Sequence, residues 1–202
     1  LVEELHLAFR ARSQNYESKF SKDELSDLCA LTLISDMASL NNKAVRNRIE
    51  SGLRKISKRE RIVYKKLLPE YQGDVTMQGV AFNLVPVLNS IGRLYPKPDV
   101  AVELLLAKEF SSRAKELLDE AIITNNFRKE LTDSFSKIAY SQIESRGIEQ
   151  DPLIYVHIED APIGINGLIA SNVFNRYGRD VIVTSRNFQN GGTIVGSGRG
   201  EQ

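Results

Sequence analysis

The chain has 202 residues, with 27 Lys and Arg against 26 Asp and Glu, 42% hydrophobic and 26% charged residues. That composition is globular and excludes disordered, collagenous and fibrous classes, and no run approaches the ~20 apolar residues of a membrane-spanning helix. One cysteine, Cys29, excludes an internal disulfide framework and points to a reducing, cytoplasmic setting, while two histidines, His6 and His157, leave little for a multi-His metal site.

From Leu1 to about Leu106 the pattern is helical, in short segments broken by polar turns. The chain opens inside a helical pattern (Leu1, Val2, Leu5, Ala8, Phe9) without an initiator Met, which suggests a fragment of a longer protein. Ser21 and Glu24 read as a capping box for a helix reaching Ile34. Ala44–Ile56 repeats apolar residues at helical spacing, and Ile62–Leu68 is a short helix ending at Pro69. Lys43 to Lys66 holds ten basic residues against Glu50 and Glu60. Such a stretch suits a long polyanion, or equally a pair of solvated helices.

Val80–Leu88 is apolar and contains Pro86, which should bend or end the helix because proline lacks the amide donor. Val100–Ala107 is strongly apolar. Ser111–Arg146 then reads as one helix, weakened locally by Asn125-Asn126 and stopped by Gly147. At 1.5 Å per residue, about 35 residues span roughly 50 Å, long enough to bridge two globular parts. The last 50 residues change to β-α-β: a strand at Leu153–Ile158, a helix at Gly167–Tyr177, a short strand at Val181–Thr184, a Gly191-Gly192 turn, and a strand at Thr193–Val195 leading into Gly196-Ser197-Gly198-Arg199.

Four groups could carry chemistry. Gly196-Ser197-Gly198-Arg199 offers glycine-exposed amides, a hydroxyl and a guanidinium fork to a phosphate, or is simply a turn. Asn89-Ser90-Ile91-Gly92-Arg93 reads as a polar break after an apolar helix, bearing a second phosphate-binding arginine, or as a helix C-cap with Gly92 left-handed. Asp36 stands between two apolar segments, as a buried carboxylate that is paired, capping or metal-bound. Gly164-Ile165-Asn166-Gly167 precedes a helix whose amides could face an anion, or makes a tight turn. His157 reads as structural and Cys29 as core packing.

In order, these runs resemble the C-terminal two-thirds of the catalytic core of RecJ-like single-stranded-DNA-specific exonucleases, of the DHH phosphoesterase superfamily. Leu33-Ile34-Ser35-Asp36-Met37-Ala38-Ser39-Leu40 is similar to the family's fourth phosphoesterase motif. Pro86-Val87-Leu88-Asn89-Ser90-Ile91-Gly92-Arg93-Leu94 is similar to its Pro-x-Leu-Asn-Ala-x-Gly-Arg-Leu segment. Gly164–Ser171 with Tyr177-Gly178-Arg179 looks like the helix of the DHH-associated domain, and Gly196-Ser197-Gly198-Arg199 matches its closing Gly-Ser-x-Arg motif.

The resemblance implies an α/β protein: a mainly helical remnant of a DHH phosphoesterase domain (1–108), a long connecting helix (109–148) and a small α/β DHH-associated domain (149–202). It further implies a single-strand groove, with Asn89, Gly92, Arg93, Gly196, Ser197, Gly198 and Arg199 binding nucleic acid and Asp36 a ligand of Mn²⁺ or Mg²⁺. Asn89 would position a loop bearing Arg93. The guanidiniums of Arg93 and Arg199 should converge on the strand. The expected partners are single-stranded DNA and single-stranded-DNA-binding or replication proteins.

The departures are those of a divergent member, of phage type. The family's Asp-x-Asp and Asp-His-His motifs are absent, so two metals about 3.5–4 Å apart could not be held by Asp36 alone. Ala161-Pro162 replaces a common Trp-His, Asn172 a common arginine after Ala-Ser, and Val87 the common arginine before Leu-Asn. Two alternatives follow: a DHH-type phosphodiesterase for short oligonucleotides or cyclic dinucleotides, and a catalytically inactive nucleic-acid-binding or replication-partner module.

Overall fold

The computed structural model describes residues 25–68, 74–95, 99–107 and 109–201, so the first helical pattern, His6 and the Ser21–Glu24 capping box lie outside the described residues. The fold is α/β and mainly helical, with one three-stranded sheet. The chain divides into two compact units, residues 1–85 with 105–110 and residues 86–104 with 111–202.

In the first unit, α1 (Ser26–Ser35) buries Ala30, Leu31 and Ile34, and α2 (Lys43–Ser57) buries Ile49 and Ile56. The side chain of Asn42 caps α2 by accepting from the Ala44 N–H at 2.8 Å. The helices meet at Gly52: a β-carbon there would stand 2.2 Å from the Ala30 Cβ and 2.4 Å from the Ser26 carbonyl oxygen. Only glycine permits that approach. The short α3 (Ile62–Leu67) buries Ile62, Val63 and Tyr64.

A buried ionic group ties α1 to the start of α3. The Asp27 carboxylate, 1% exposed, accepts from the Arg61 Nε and from the Tyr64 hydroxyl at 3.0 Å, while Arg61 Nη1 donates to the Leu105 carbonyl at 2.8 Å. Burial pushes the Tyr64 phenol far above its ordinary range, and the Asp27 charge adds to it. Arg61 is therefore structural, although it lies in the basic stretch. Arg46 and Arg59 also turn inward on the chain, donating to the Asn41 and Leu68 carbonyls at 3.1 Å each.

Pro86 neither ends nor breaks its helix. A single turn at Met77–Gly79 widens into a π-helical stretch at Val80–Leu84, where the Val85 N–H reaches the Val80 carbonyl, and α4 (Val85–Leu94) follows. The wider turn just upstream accommodates a ring that would otherwise crowd the carbonyl four residues back. The helix also runs through Asn89–Leu94, so the expected polar break is absent. Gly92 does not take the left-handed conformation of a C-cap. After α5 (Asp99–Leu106) comes α6 (Ser112–Arg146), whose 35 residues start where Ser111 accepts from the Ala114 N–H and stop at left-handed Gly147, φ 64°. No helix among the described residues is long and apolar enough to cross a membrane.

In the second unit, β1 (Leu153–His157) pairs parallel with β2 (Asp180–Asn187) across α7 (Asn166–Tyr177), and β3 (Thr193–Arg199) returns antiparallel to β2. The sheet order is β1-β2-β3. Ala139 and Ile143 of α6, Ile169, Ala170 and Val173 of α7, and the inward residues Ile154, Val156, Val181 and Val183 close the core. Gly196–Arg199 is strand, not a loop, with Ser197 opposite Val183 and Arg199 opposite Val181. Gly196 is required there, because a β-carbon would meet the Thr184 methyl at 2.8 Å.

Gly52→Ala should lower the unfolding free energy by about 1–3 kcal/mol by forcing α1 and α2 apart. Urea unfolding reads this as an earlier midpoint.

Candidate nucleic-acid interface

The candidate site is built on the start of α7. A 3₁₀ turn, Ile163–Ile165, feeds directly into the helix, and no side chain caps its N-terminus. The turn is anchored by Asn166, which is fully buried. Its Nδ2 donates to the Ser185 hydroxyl at 2.9 Å and the Val195 carbonyl at 3.0 Å, joining the helix start to β2 and β3.

Two glycines of this segment carry the arginines. A β-carbon on Gly164 would stand 1.9 Å from the Arg93 carbonyl oxygen, so α4 rests its main chain directly on the turn, and Arg93 Nη1 donates back to the Gly164 carbonyl at 3.1 Å. A β-carbon on Gly167 would stand 3.0 Å from Ser197 Oγ and 3.4 Å from Arg199 Nη2. Gly164 and Gly167 are three residues apart, about one helical turn or 5–6 Å. Arg93, Ser197 and Arg199 therefore gather around one backbone segment.

Period-2 alternation explains half of this arrangement. Ser197 and Arg199 point to the same face of β3, toward α7, while Gly196 and Gly198 point away. The Arg199 Nε donates to the Ser171 hydroxyl at 2.9 Å, and its Nη1 donates to the Gly198 carbonyl at 2.8 Å. Asn172, beside Ser171, donates to Ser136 of α6 at 3.0 Å, so this asparagine serves helix packing.

On α4, Asn89, Gly92 and Arg93 share a face. With Leu88 and Ala101 of α5 they line a cavity of about 290 Å³. Asn89 positions no loop, since Arg93 stands on the same helix. Arg128 of α6 is held by Asn125, whose Oδ1 accepts from its Nε at 3.1 Å and its Nη2 at 2.9 Å. Burial pushes the Arg128 guanidinium below its usual range, and the neighbouring Arg93 charge acts in the same direction. Among the described residues, Arg93, Arg128 and Arg199 have no carboxylate partner.

Asp36 is exposed rather than buried, at the C-terminal end of α1, where its own N–H donates to the Thr32 carbonyl at 2.9 Å. It caps no helix N-terminus. Among the described residues no three His, Cys, Asp or Glu side chains gather to hold a metal ion. A hard divalent cation takes six or more oxygen ligands, so the donor set present here does not make a metal centre.

His157 is structural, as its place in a strand suggests. Its Nδ1 lies 2.9 Å from the Thr184 hydroxyl and its Nε2 2.8 Å from Glu159, which also pairs with Arg186. The hydrogen bonds from His157 and then Arg186 hold the Glu159 carboxyl below its ordinary range. Its contribution is present above the ordinary carboxylate pKa and is lost as the pH falls through the lowered value. Cys29 is half-buried on α1.

Reading from sequence assigns no role of their own to Asn125, Arg128, Asn166 and Ser171. Asn125 is visible there only as a weak point in a long helix, and an arginine in a charged helical run carries no local mark. Asn166 lies between Gly164 and Gly167, which draw the attention.

No protein-family model matches the chain. It is 31% identical over 166 residues to the single-stranded-DNA-specific exonuclease RecJ of Bacillus subtilis (strain 168), covering 80% of this chain and 20% of that protein. YorK, the SPbeta prophage-derived protein named for a single-strand DNA-specific exonuclease, is 26% identical over 212 residues, covering 93% of this chain and 36% of YorK. RecJ from Thermus thermophilus in complex with Mn²⁺ superposes with a TM-score of 0.70 at 22% identity, over 89% of this chain and 26% of that one. An exonuclease RecJ bound to manganese gives 0.68 at 21%, over 90% and 43%. The chain thus spans between about a fifth and two-fifths of these proteins' lengths.

Gly167→Ala should retain or raise stability, because alanine suits a helix better than glycine by about 1 kcal/mol. It should also displace Ser197 Oγ and Arg199 Nη2, and anion binding, read as the thermal shift on adding pyrophosphate, should fall. Carboxyl NMR titration should place Glu159 below the ordinary ~4.3, and Arg186→Gln should move it back upward. With motif order, sequence identity and fold in agreement, the chain is RecJ-like and similar to a C-terminal region of these single-stranded-DNA-specific exonucleases.

Proposed function

We propose that this chain supplies the strand-holding part of a metal-dependent, RecJ-like 5′ to 3′ exonuclease acting on single-stranded DNA. The observation that carries this reading is the grouping of Arg93, Ser197 and Arg199 around the Gly164–Gly167 turn, without a carboxylate to neutralise them among the described residues. Hydroxyl, guanidinium and helix-start amides are what a phosphate oxygen accepts hydrogen bonds from. Asn89 and Gly92 border the same helix face as Arg93, and Gly196 and Gly198 bring no side chain of their own to the face of β3 away from α7.

In this reading residues 1–108 derive from the phosphoesterase domain, 109–148 form the connecting helix and 149–202 the DHH-associated domain. The packing units do not coincide with those domains, since Pro86–Leu104 belongs with the second unit and Leu105–Phe110 with the first. Asp36, exposed at the end of α1, would be one ligand of a Mn²⁺ or Mg²⁺ centre. The remaining ligands must come from carboxylates and imidazoles elsewhere, and with them the cleavage step. This chain's own part is to bind the strand and fix the phosphate backbone. Single-stranded-DNA-binding and replication proteins are its expected partners.

Fluorescence anisotropy with a 5′-phosphorylated oligothymidylate tests the reading. Arg93→Gln and Arg199→Gln should each weaken binding about tenfold and flatten the dependence of log K on log salt by about 0.7 for each phosphate no longer neutralised. Unchanged affinity and slope in both would refute the assignment. Competition by a dinucleotide as strong as that by the long strand would favour a phosphodiesterase of short oligonucleotides.

A further inference from the structure

Four polar side chains of α6 are buried: Thr124, Asn125, Thr132 and Ser136. Ser136 receives Asn172, and Thr132 bonds back to the Arg128 carbonyl at 2.8 Å. Asn125, 5% exposed, spends its side-chain oxygen entirely on the fork of Arg128. A buried amide dedicated to orienting one half-buried guanidinium is more than a solvated helix face requires, because desolvating both groups costs free energy that their hydrogen bonds only partly return.

A contact between α4 and α6 brings Arg93 and Arg128 into one neighbourhood. On α4 the Ser90 hydroxyl lies 3.4 Å from the Ala121 carbonyl of α6. Asn125 and Arg128 follow Ala121 by four and seven positions, which keeps them on its face, and Arg93 follows Ser90 by three. The depression of the Arg128 proton affinity by the Arg93 charge agrees with that proximity. Two guanidiniums side by side with no acid among the described residues repel each other. An anion between them removes the repulsion.

We infer that Arg128, oriented by Asn125, is a third phosphate-binding guanidinium, sharing a phosphate group of the single strand with Arg93. This rests on the strand-binding reading above and deepens it by adding one contact residue and one positioning residue. Arg128 touches the phosphate, whereas Asn125 acts only through Arg128.

The test is anisotropy with the 5′-phosphorylated oligothymidylate on the 202-residue chain across a salt series, paired with thermal unfolding. Arg128→Gln should weaken binding about tenfold and flatten the salt slope by about 0.7. Asn125→Asp places a carboxylate against the same fork. It should weaken binding by a similar factor while the unfolding midpoint holds or rises, which a merely structural role for Arg128 would not produce. If Arg128→Gln does not fold, Asn125→Asp decides alone. Folded variants that bind like the unaltered chain overturn the inference. If Arg93→Gln and Arg199→Gln weaken binding and the Arg128 and Asn125 variants do not, the inference falls and the strand-binding reading stands. If the unaltered chain binds no oligonucleotide, both fall.

Discussion

The main chain of α4 sits so close to the turn before α7 that the Arg93 carbonyl oxygen occupies the space of a Gly164 side chain, 1.9 Å from the position of its β-carbon. Backbone cannot yield as a side chain can, so this contact fixes the distance between two elements that lie 71 residues apart in sequence. Three residues later Gly167 repeats the device more gently, with Ser197 and Arg199 across from it. The buried Asn166 between them is bonded to both β2 and β3, so the turn cannot shift without disturbing the sheet. A helix, a strand and a helix start are held in one register by absent side chains and one buried amide. Orientation fixed in this way costs no reorganisation when an anion arrives.

How much of this was legible in the sequence depends on whether the governing chemistry was local. The bounds of α6 could be read because Ser111 and Gly147 satisfy its end groups within a few residues. The Gly191-Gly192 turn was legible for the same reason, both residues adopting positive φ. Gly196–Arg199 was not, since two glycines in four residues argue against a strand by propensity. What overrides propensity is the antiparallel pairing with β2, where the Thr184 methyl leaves no room for a side chain at Gly196, a contact no short-range pattern records. Gly92 misled in the opposite sense. It resembles a stop, yet the helix continues, because Leu88 and Ile91 are buried and Leu94 packs on the second unit's core, offsetting the roughly 1 kcal/mol that a helical glycine costs.

Charged residues were the least legible. Asp36 looked buried because apolar residues flank it, yet it is exposed, whereas the buried carboxylate of that helix is Asp27, which no pattern singled out. The difference is one of helical phase. Asp27 faces Arg61 and Tyr64 from α3, and Asp36 follows the last helical residue, where the chain turns outward. The RecJ-like motifs supplied what periodicity could not, the expectation that residues as distant as Arg93 and Arg199 serve one site. They did not supply Arg128, which lies in the long helix between the motifs.

The two units also separate charge density from charge availability. The stretch from Lys43 to Lys66 is the most basic in the chain, but its Arg61 is neutralised by a buried carboxylate and its Lys66 covers the Phe110 ring at 5.0 Å. The second unit has fewer cations per residue, yet Arg93, Arg128 and Arg199 are held by hydroxyl, amide and carbonyl oxygens instead of carboxylates. Such partners orient a guanidinium without cancelling its charge, leaving the electrostatic attraction for a ligand. Neutral acceptors therefore mark a site for a polyanion better than a run of lysines does. By that criterion the candidate interface is the place where α4, α6 and β3 meet the start of α7.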